Sequence, residues 1–272
     1  MHRENRKGIT AVAIALALCL LTSYALAAGA KLSFHPPKGA AAKYSMNVTL
    51  KMSGTNRLSD GTTGKVSQNI SMSATVRQAV ADVTDKGATL TYSFGSAKVT
   101  ANGKTTDCAK ALNDAKLTVT LSPKGVPSGM SGGSGLDEAA RQLSGAVLNS
   151  TIPLPDKDVA VGEKWVRTVG QSSGLPIKLT CKLAGIEARG GKSVAKITMT
   201  IAGSVNNAKQ IAQATGPNKP PLTKIVAGGN ATYYVEVDTG MMIDATATLE
   251  IKSTGAANLT HTETMILKRL GS

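Results

Sequence analysis

Apolar and polar residues alternate with a period of two over most of this chain. Tyr44, Met46, Val48, Leu50 and Met52 are separated by Ser45, Asn47, Thr49 and Lys51. After a turn-rich loop from Gly54 to Gly64, Val66 leads into Ile70, Met72, Ala74 and Val76, spaced by Ser71, Ser73 and Thr75. The same pattern returns at Ala88 to Phe94, Leu117 to Leu121, Ile177 to Leu183, Ala195 to Ile201, Ala231 to Val237, Ile243 to Ile251 and Leu259 to Leu267. Successive side chains of a strand point to opposite faces, so such alternation predicts antiparallel strands with one side in a core and the other in water. Asp85-Lys86-Gly87, Asn102-Gly103, Arg189-Gly190-Gly191 and Asp238-Thr239-Gly240 are the turns between them.

One stretch breaks the pattern. After the Gly/Ser-rich loop from Ser128 to Gly135, Leu136, Ala139, Ala140, Leu143 and Val147 recur at helical spacing. Asp137 and Glu138 fall in the first turn, where negative charge suits the helix dipole, and Ser134 is placed to cap it. The chain is therefore expected to be mainly β, an antiparallel sheet or half-barrel with one central helix at about 136–148. It forms a single β-rich domain, 28–272, whose halves 40–122 and 161–270 are joined by a loop, helix and link over 123–160. Residues 66–96 and 177–203 share one plan, long strand, charged glycine turn, long strand. A duplicated β-meander would explain this, and so would the general likeness of hairpins.

The N-terminus says where such a domain works. A basic head, His2 to Lys7, precedes an uncharged apolar run from Gly8 to Leu21 and the small-residue pattern Ala25-Leu26-Ala27. This reads as a signal peptide, 1–27, cut after Ala27, which sends the protein to the periplasm or outside the cell. Leu16-Ala17-Leu18-Cys19 is a poor lipoprotein box, because Leu18 is not small. The run is too short for a lasting membrane helix, and no second candidate for an integral membrane segment follows. Removing 27 residues from 272 leaves 245 and lowers the formal charge from +14 to +12, because the leader holds Arg3, Arg6, Lys7 and Glu4. Outside the cytoplasm, such basicity points to phospholipid headgroups, anionic envelope polymers, or solubility alone. Nucleic acid is disfavoured, since few aromatic residues are available to stack bases and none interleaves a basic run.

Cys108 and Cys181 are the two cysteines left after cleavage. An oxidising compartment predicts a disulfide between them, which would contribute roughly 4 kcal/mol through loop closure; two buried thiols are the alternative. Catalytic signatures are weak. Gly129-Met130-Ser131-Gly132-Gly133 and Gly170-Gln171-Ser172-Ser173-Gly174 match the G-x-S-x-G elbow, but an elbow needs a tight strand-to-helix turn and a histidine, and only His35 and His261 remain. Gly185 to Ser193 has the wrong glycine spacing for a phosphate loop and joins two strands. Ser193 and Lys196 would point to opposite faces of a strand. No metal-ligand set or calcium loop is evident, and no cofactor is expected. Met46, Met52, Met72 and Met199 all fall on apolar strand faces. They would either line a cavity for a lipid-like guest or fill gaps in an aromatic-poor core.

Val159-Ala160-Val161-Gly162-Glu163-Lys164-Trp165 resembles the V-x-V-G-E-x-W link of exported β-rich bacterial proteins of unknown function, and Asp238-Thr239-Gly240 resembles their D-T-G turn. The resemblance implies an antiparallel half-barrel partly wrapped around a helix, broadly similar to periplasmic lipoprotein carriers. It brings no catalytic residues and implies structural roles for Gly162 and Trp165. The expected function is non-enzymatic: an envelope-associated protein binding a lipid, a lipoprotein or an anionic envelope polymer. The alternatives are an extracellular serine hydrolase using Ser131 and a surface structural or adhesive module.

Overall fold

A computed structural model describes residues 29–57, 62–149, 151–169, 175–206, 211 and 222–271, with side chains masked at Arg57, Leu148 and Asn149. The leader predicted over 1–27 and the second G-x-S-x-G match at 170–174 lie outside the described residues. In chain order the elements are β1 (Ala41–Arg57), β2 (Thr63–Thr84), β3 (Gly87–Ala101), β4 (Lys104–Asp107), α1 (Ala109–Asp114), β5 (Thr118–Leu121), β6 (Pro127–Ser131), α2 (Glu138–Asn149), β7 (Lys164–Val169), β8 (Ile177–Arg189), β9 (Lys192–Val205), β10 (Leu222–Glu236), β11 (Met242–Gly255) and β12 (Ala257–Leu270). The protein is mainly antiparallel β, as the alternation requires.

All twelve strands join one open sheet in the order β6-β5-β3-β2-β1-β12-β11-β10-β9-β8-β7, with β4 paired to β3. Read cyclically, this is nearly the order of the chain: an up-and-down meander whose two end strands, β1 and β12, pair along their whole length from Lys43↔Leu270 to Asn56↔Ala257. The break in the cycle falls between β6 and β7, the stretch of chain that contains α2. Among the described residues, no helix is long and apolar enough to cross a membrane.

The inner face of the sheet carries one large core. Tyr44, Met46 and Val48 of β1, Met72 of β2, Leu90 of β3, Ile197 of β9 and Leu267 of β12 all belong to it. Over them lie α1, α2, the N-terminal segment through Leu32 and Phe34, and the link through Ile152, Leu154 and Val159. Ala30 bridges Val159, and the Phe34 N–H donates to Pro123 O, so the segment and the link brace each other. Helix α2 turns Ala140, Leu143 and Val147 inward, the 3–4 spacing of an amphipathic helix. Its cap is Asp137, not Ser134: the Asp137 carboxylate accepts from the Ala140 N–H at 2.8 Å, satisfying an amide at the helix start.

Three elements depart from expectation. Helix α1 is a second helix, six residues long, whose buried residue is Leu112. Strand β6 is a fully exposed edge strand. The predicted disulfide is absent: Cys108 and Cys181 are free, buried thiols. Cys108 opens α1 beside β3, its N–H on Ala97 O, whereas Cys181 lies on the inner face of β8 between Trp165 and Met199. Strands β2, β1, β12, β11, β10 and β9 stand between β3 and β8, and each cysteine is satisfied as a small apolar residue. Burial pushes both thiols up, Cys181 to about 12, so neither is a ready thiolate.

Candidate functional site

The same strands run on past the helices, and there their inner face is only half-buried. Leu50 and Met52 of β1, Leu179 of β8, Ile201 of β9, and Leu249 and Ile251 of β11 lie on it. Register sets them together: Leu249 faces Gly229, which faces Ile201, which faces Leu179. A small second cluster of Val205, Ile211 and Ile225 lies beyond, with Ile251 against it. Between the two clusters is an apolar stretch of the inner face, with small residues (Ala227, Gly229, Ala247) at its centre.

Two titratable groups sit in this stretch. Glu263 pairs with Leu50 on one side and Leu249 on the other, and His261 with Met52 and Ile251. Among the described residues no hydrogen-bond donor meets the Glu263 carboxylate. Burial pushes its pKa up, opposed only by the charge of His261 two residues away on the same face.

The opposite end of the strands differs. A cleft of about 740 Å³ is lined by Lys43, Arg77, Arg189, Lys192, Lys268 and Arg269, against two carboxylates, Glu236 and Asp244. Glu236 is the anchor of this end. Its carboxylate accepts from Lys192 Nζ at 2.7 Å, from the Thr239 hydroxyl at 2.9 Å and from Arg269. Burial pushes Glu236 up, but these three donors outweigh it and hold the carboxyl below its ordinary value. The D-T-G turn is thereby explained. Thr239 bonds Glu236 and accepts from the Met241 N–H, and Gly240, at φ +68°, lets Ser33 O approach to where a Cβ would lie within 2.4 Å.

The remaining sequence-derived residues scatter. Met46, Met72 and Met199 are in the closed core, exposed by 0%, 3% and 6%; only Met52 reaches the half-buried face. Gly162, at φ +93°, donates its N–H to Leu183 O at 2.7 Å, and the Trp165 indole donates to Pro153 O at 2.9 Å, so both hold the link to β8 and the core. Ser131 ends the exposed edge strand β6, opposite Thr118, and six residues separate it from α2. That junction is not an elbow, and His261 lies five strands away in the sheet order. Gly185 to Ser193 forms the β8–β9 hairpin. Among the described residues no cluster of three or more metal-ligating side chains occurs. Neither the half-buried face nor the cationic cleft was visible in advance, because each is assembled across strand pairs remote in sequence.

No family model and no curated protein sequence matches the chain. Among solved structures, the chain is similar to a lipovitellin structure concerned with lipid–protein interactions, at TM-score 0.48 and 11% identity over 86% of this chain. It spans a quarter (25%) of that chain. DynF of the dynemicin biosynthesis pathway of Micromonospora chersina matches at TM-score 0.20 and 10% identity, covering 89% of this chain and 86% of that one. An outer membrane channel from Pseudomonas putida F1 matches at TM-score 0.22 and 10% identity, covering 86% and 96% respectively.

Proposed function

We propose that the protein is an exported, non-enzymatic carrier that shelters the apolar part of an envelope lipid or lipoprotein on the half-buried inner face. The observation that carries this reading is the run of Leu50, Met52, Leu179, Ile201, Leu249 and Ile251 on a face that elsewhere is packed under two helices. A methylene moved from water onto such a face is worth about 0.8 kcal/mol, so a sheltered acyl segment of about eight carbons gains roughly 6 kcal/mol before ordering costs. The leader supplies the compartment.

The test is binding of N-phenyl-1-naphthylamine, an uncharged apolar fluorophore, to the protein exported with its own leader and purified without detergent. Its fluorescence is expected to rise on binding and to fall when monopalmitoylglycerol displaces it. Leu249→Gln and Ile201→Gln are expected to weaken binding about tenfold, the loss of one well-buried apolar contact. Absence of binding, or binding indifferent to both substitutions, would sink the carrier reading.

A further inference from the structure

We infer that the outer face, at the far end of the strands from the apolar stretch, carries a separate anion site built on Lys43, Arg77 and Lys268 that takes a phosphate-bearing group. Three of the six cations lining the cleft are already engaged. Arg269 and Lys192 serve Glu236, and Arg189 pairs with Asp244 at 3.2 Å and Glu187 while lying 3.7 Å over the Tyr234 ring. Lys43, Arg77 and Lys268 are different: among the described residues no carboxylate lies within ion-pair distance of them.

Their placement makes the lack of counter-charge costly. Lys43 stands directly opposite Arg77 across β1 and β2. Lys268 stands opposite Ser45 on β1, one same-face step diagonally from Lys43, and opposite Asp244 on β11, whose carboxylate is held by Arg189 at 3.2 Å and makes no ion pair with Lys268. Like charges directly opposite in a ladder destabilise it, and long exposed side chains relieve this only by splaying into solvent. An anion between them removes the repulsion. An arginine fork flanked by two ammonium groups suits the several oxygens of a phosphate, which accept charge-assisted hydrogen bonds from both kinds of donor. The cleft has room for a headgroup and a rigid floor, since Arg269 and Glu236 are 13% and 7% exposed.

The site is not the head end of the apolar stretch. Lys43 and Met52 are nine residues apart on β1, about 30 Å, and point to opposite faces. Its ligand is therefore a second one, either the headgroup of an anionic membrane surface or a free phosphoester.

The experiment compares the wild-type chain with Lys43→Gln/Arg77→Gln/Lys268→Gln and with a control of equal charge loss, Lys178→Gln/Lys182→Gln/Lys224→Gln, at about 0.15 M salt. One arm measures co-sedimentation with vesicles of phosphatidylglycerol in phosphatidylcholine, and the other measures calorimetric binding of inositol hexakisphosphate. The cleft variant is expected to lose about tenfold in affinity and the control much less, in whichever arm the wild type binds. Binding to vesicles but not to the soluble probe assigns a membrane headgroup, and the reverse assigns a free phosphoester. Without ligand, the cleft variant is expected to melt at the wild-type temperature or above, because it removes repulsion and not a contact. Equal losses in the two triples, or no binding to either probe, would overturn the site.

Discussion

The two ends of the inner sheet face share strands, alternation and residue types, yet one is a core and the other is not. On β1, Tyr44, Met46 and Val48 are buried, while Leu50 and Met52 are half-buried. On β12, Met265 and Leu267 are buried, while Leu259, His261 and Glu263 are half-buried. What differs is the cover: α1, α2, the N-terminal segment and the 152–159 link pack on the first set. Alternation decides which face a side chain joins. Whether that face is sealed depends on elements from elsewhere in the chain. Each end also holds one glutamate, and the two are treated oppositely. Glu236 is surrounded by three donors, whereas Glu263 meets none among the described residues.

Truncating one leucine at each end breaks the comparison most directly. Leu143 is fully buried where α2 meets the sheet, so Leu143→Ala leaves a cavity and is expected to cost about 3 kcal/mol in urea unfolding. Leu249→Ala, on the half-buried face, is expected to cost about 1 kcal/mol, since less apolar area returns to water. Equal losses would mean that the second end is sealed as tightly as the first.

The paired glutamate gives a somewhat smaller effect with a definite pH signature. Its folded pKa is below the ordinary 4.5, so its ionised form stabilises the fold at neutral pH. That contribution is present above pH 4.5 and is lost as pH falls through the lower folded value. Glu236→Gln leaves Arg269 buried without its counter-charge and is expected to cost about 2 kcal/mol at pH 7. It is also expected to flatten the acid limb of the stability curve. A variant whose acid limb stays as steep as the wild type would show that the pairing with Lys192, Thr239 and Arg269 does not stabilise the ionised form.

How far this contrast was legible in the sequence follows from its physics. The long strands and α2 announce themselves because each buries a periodic face. Helix α1 has one buried residue, Leu112, in six, which leaves no period to detect. Strand β6 has every residue exposed and so no alternation at all. The methionines were legible as inward-facing, but not as sealed. Met46, Met72 and Met199 lie in the closed core because α1, α2 and the link share it, a fact that no local pattern on β1, β2 or β9 contains. The cleft has the same origin. Lys268 reaches Lys43 only through the pairing of β1 with β12, the two ends of the domain. The disulfide failed for the complementary reason, since compartment and even number say nothing of the six strands between β3 and β8.

Glu263 gives the smallest effect and the sharpest sign. Burial between Leu50 and Leu249 raises its folded pKa, so ionisation is resisted in the native state and free in the unfolded one. Its relative stabilisation is therefore fully present below the unfolded value of about 4.5 and is lost as pH rises through the higher folded value. Glu263→Gln keeps the shape and removes the charge. It is expected to raise stability at pH 7 by about 1 kcal/mol, to change nothing near pH 3, and to strengthen fluorophore binding at pH 7. His261 is the one charge that opposes the shift, so His261→Gln is expected to widen the stability gap between wild type and Glu263→Gln. If Glu263→Gln instead destabilises the protein at neutral pH, the carboxylate has a partner, and this end of the sheet is closed by polar contacts where the other is closed by apolar ones.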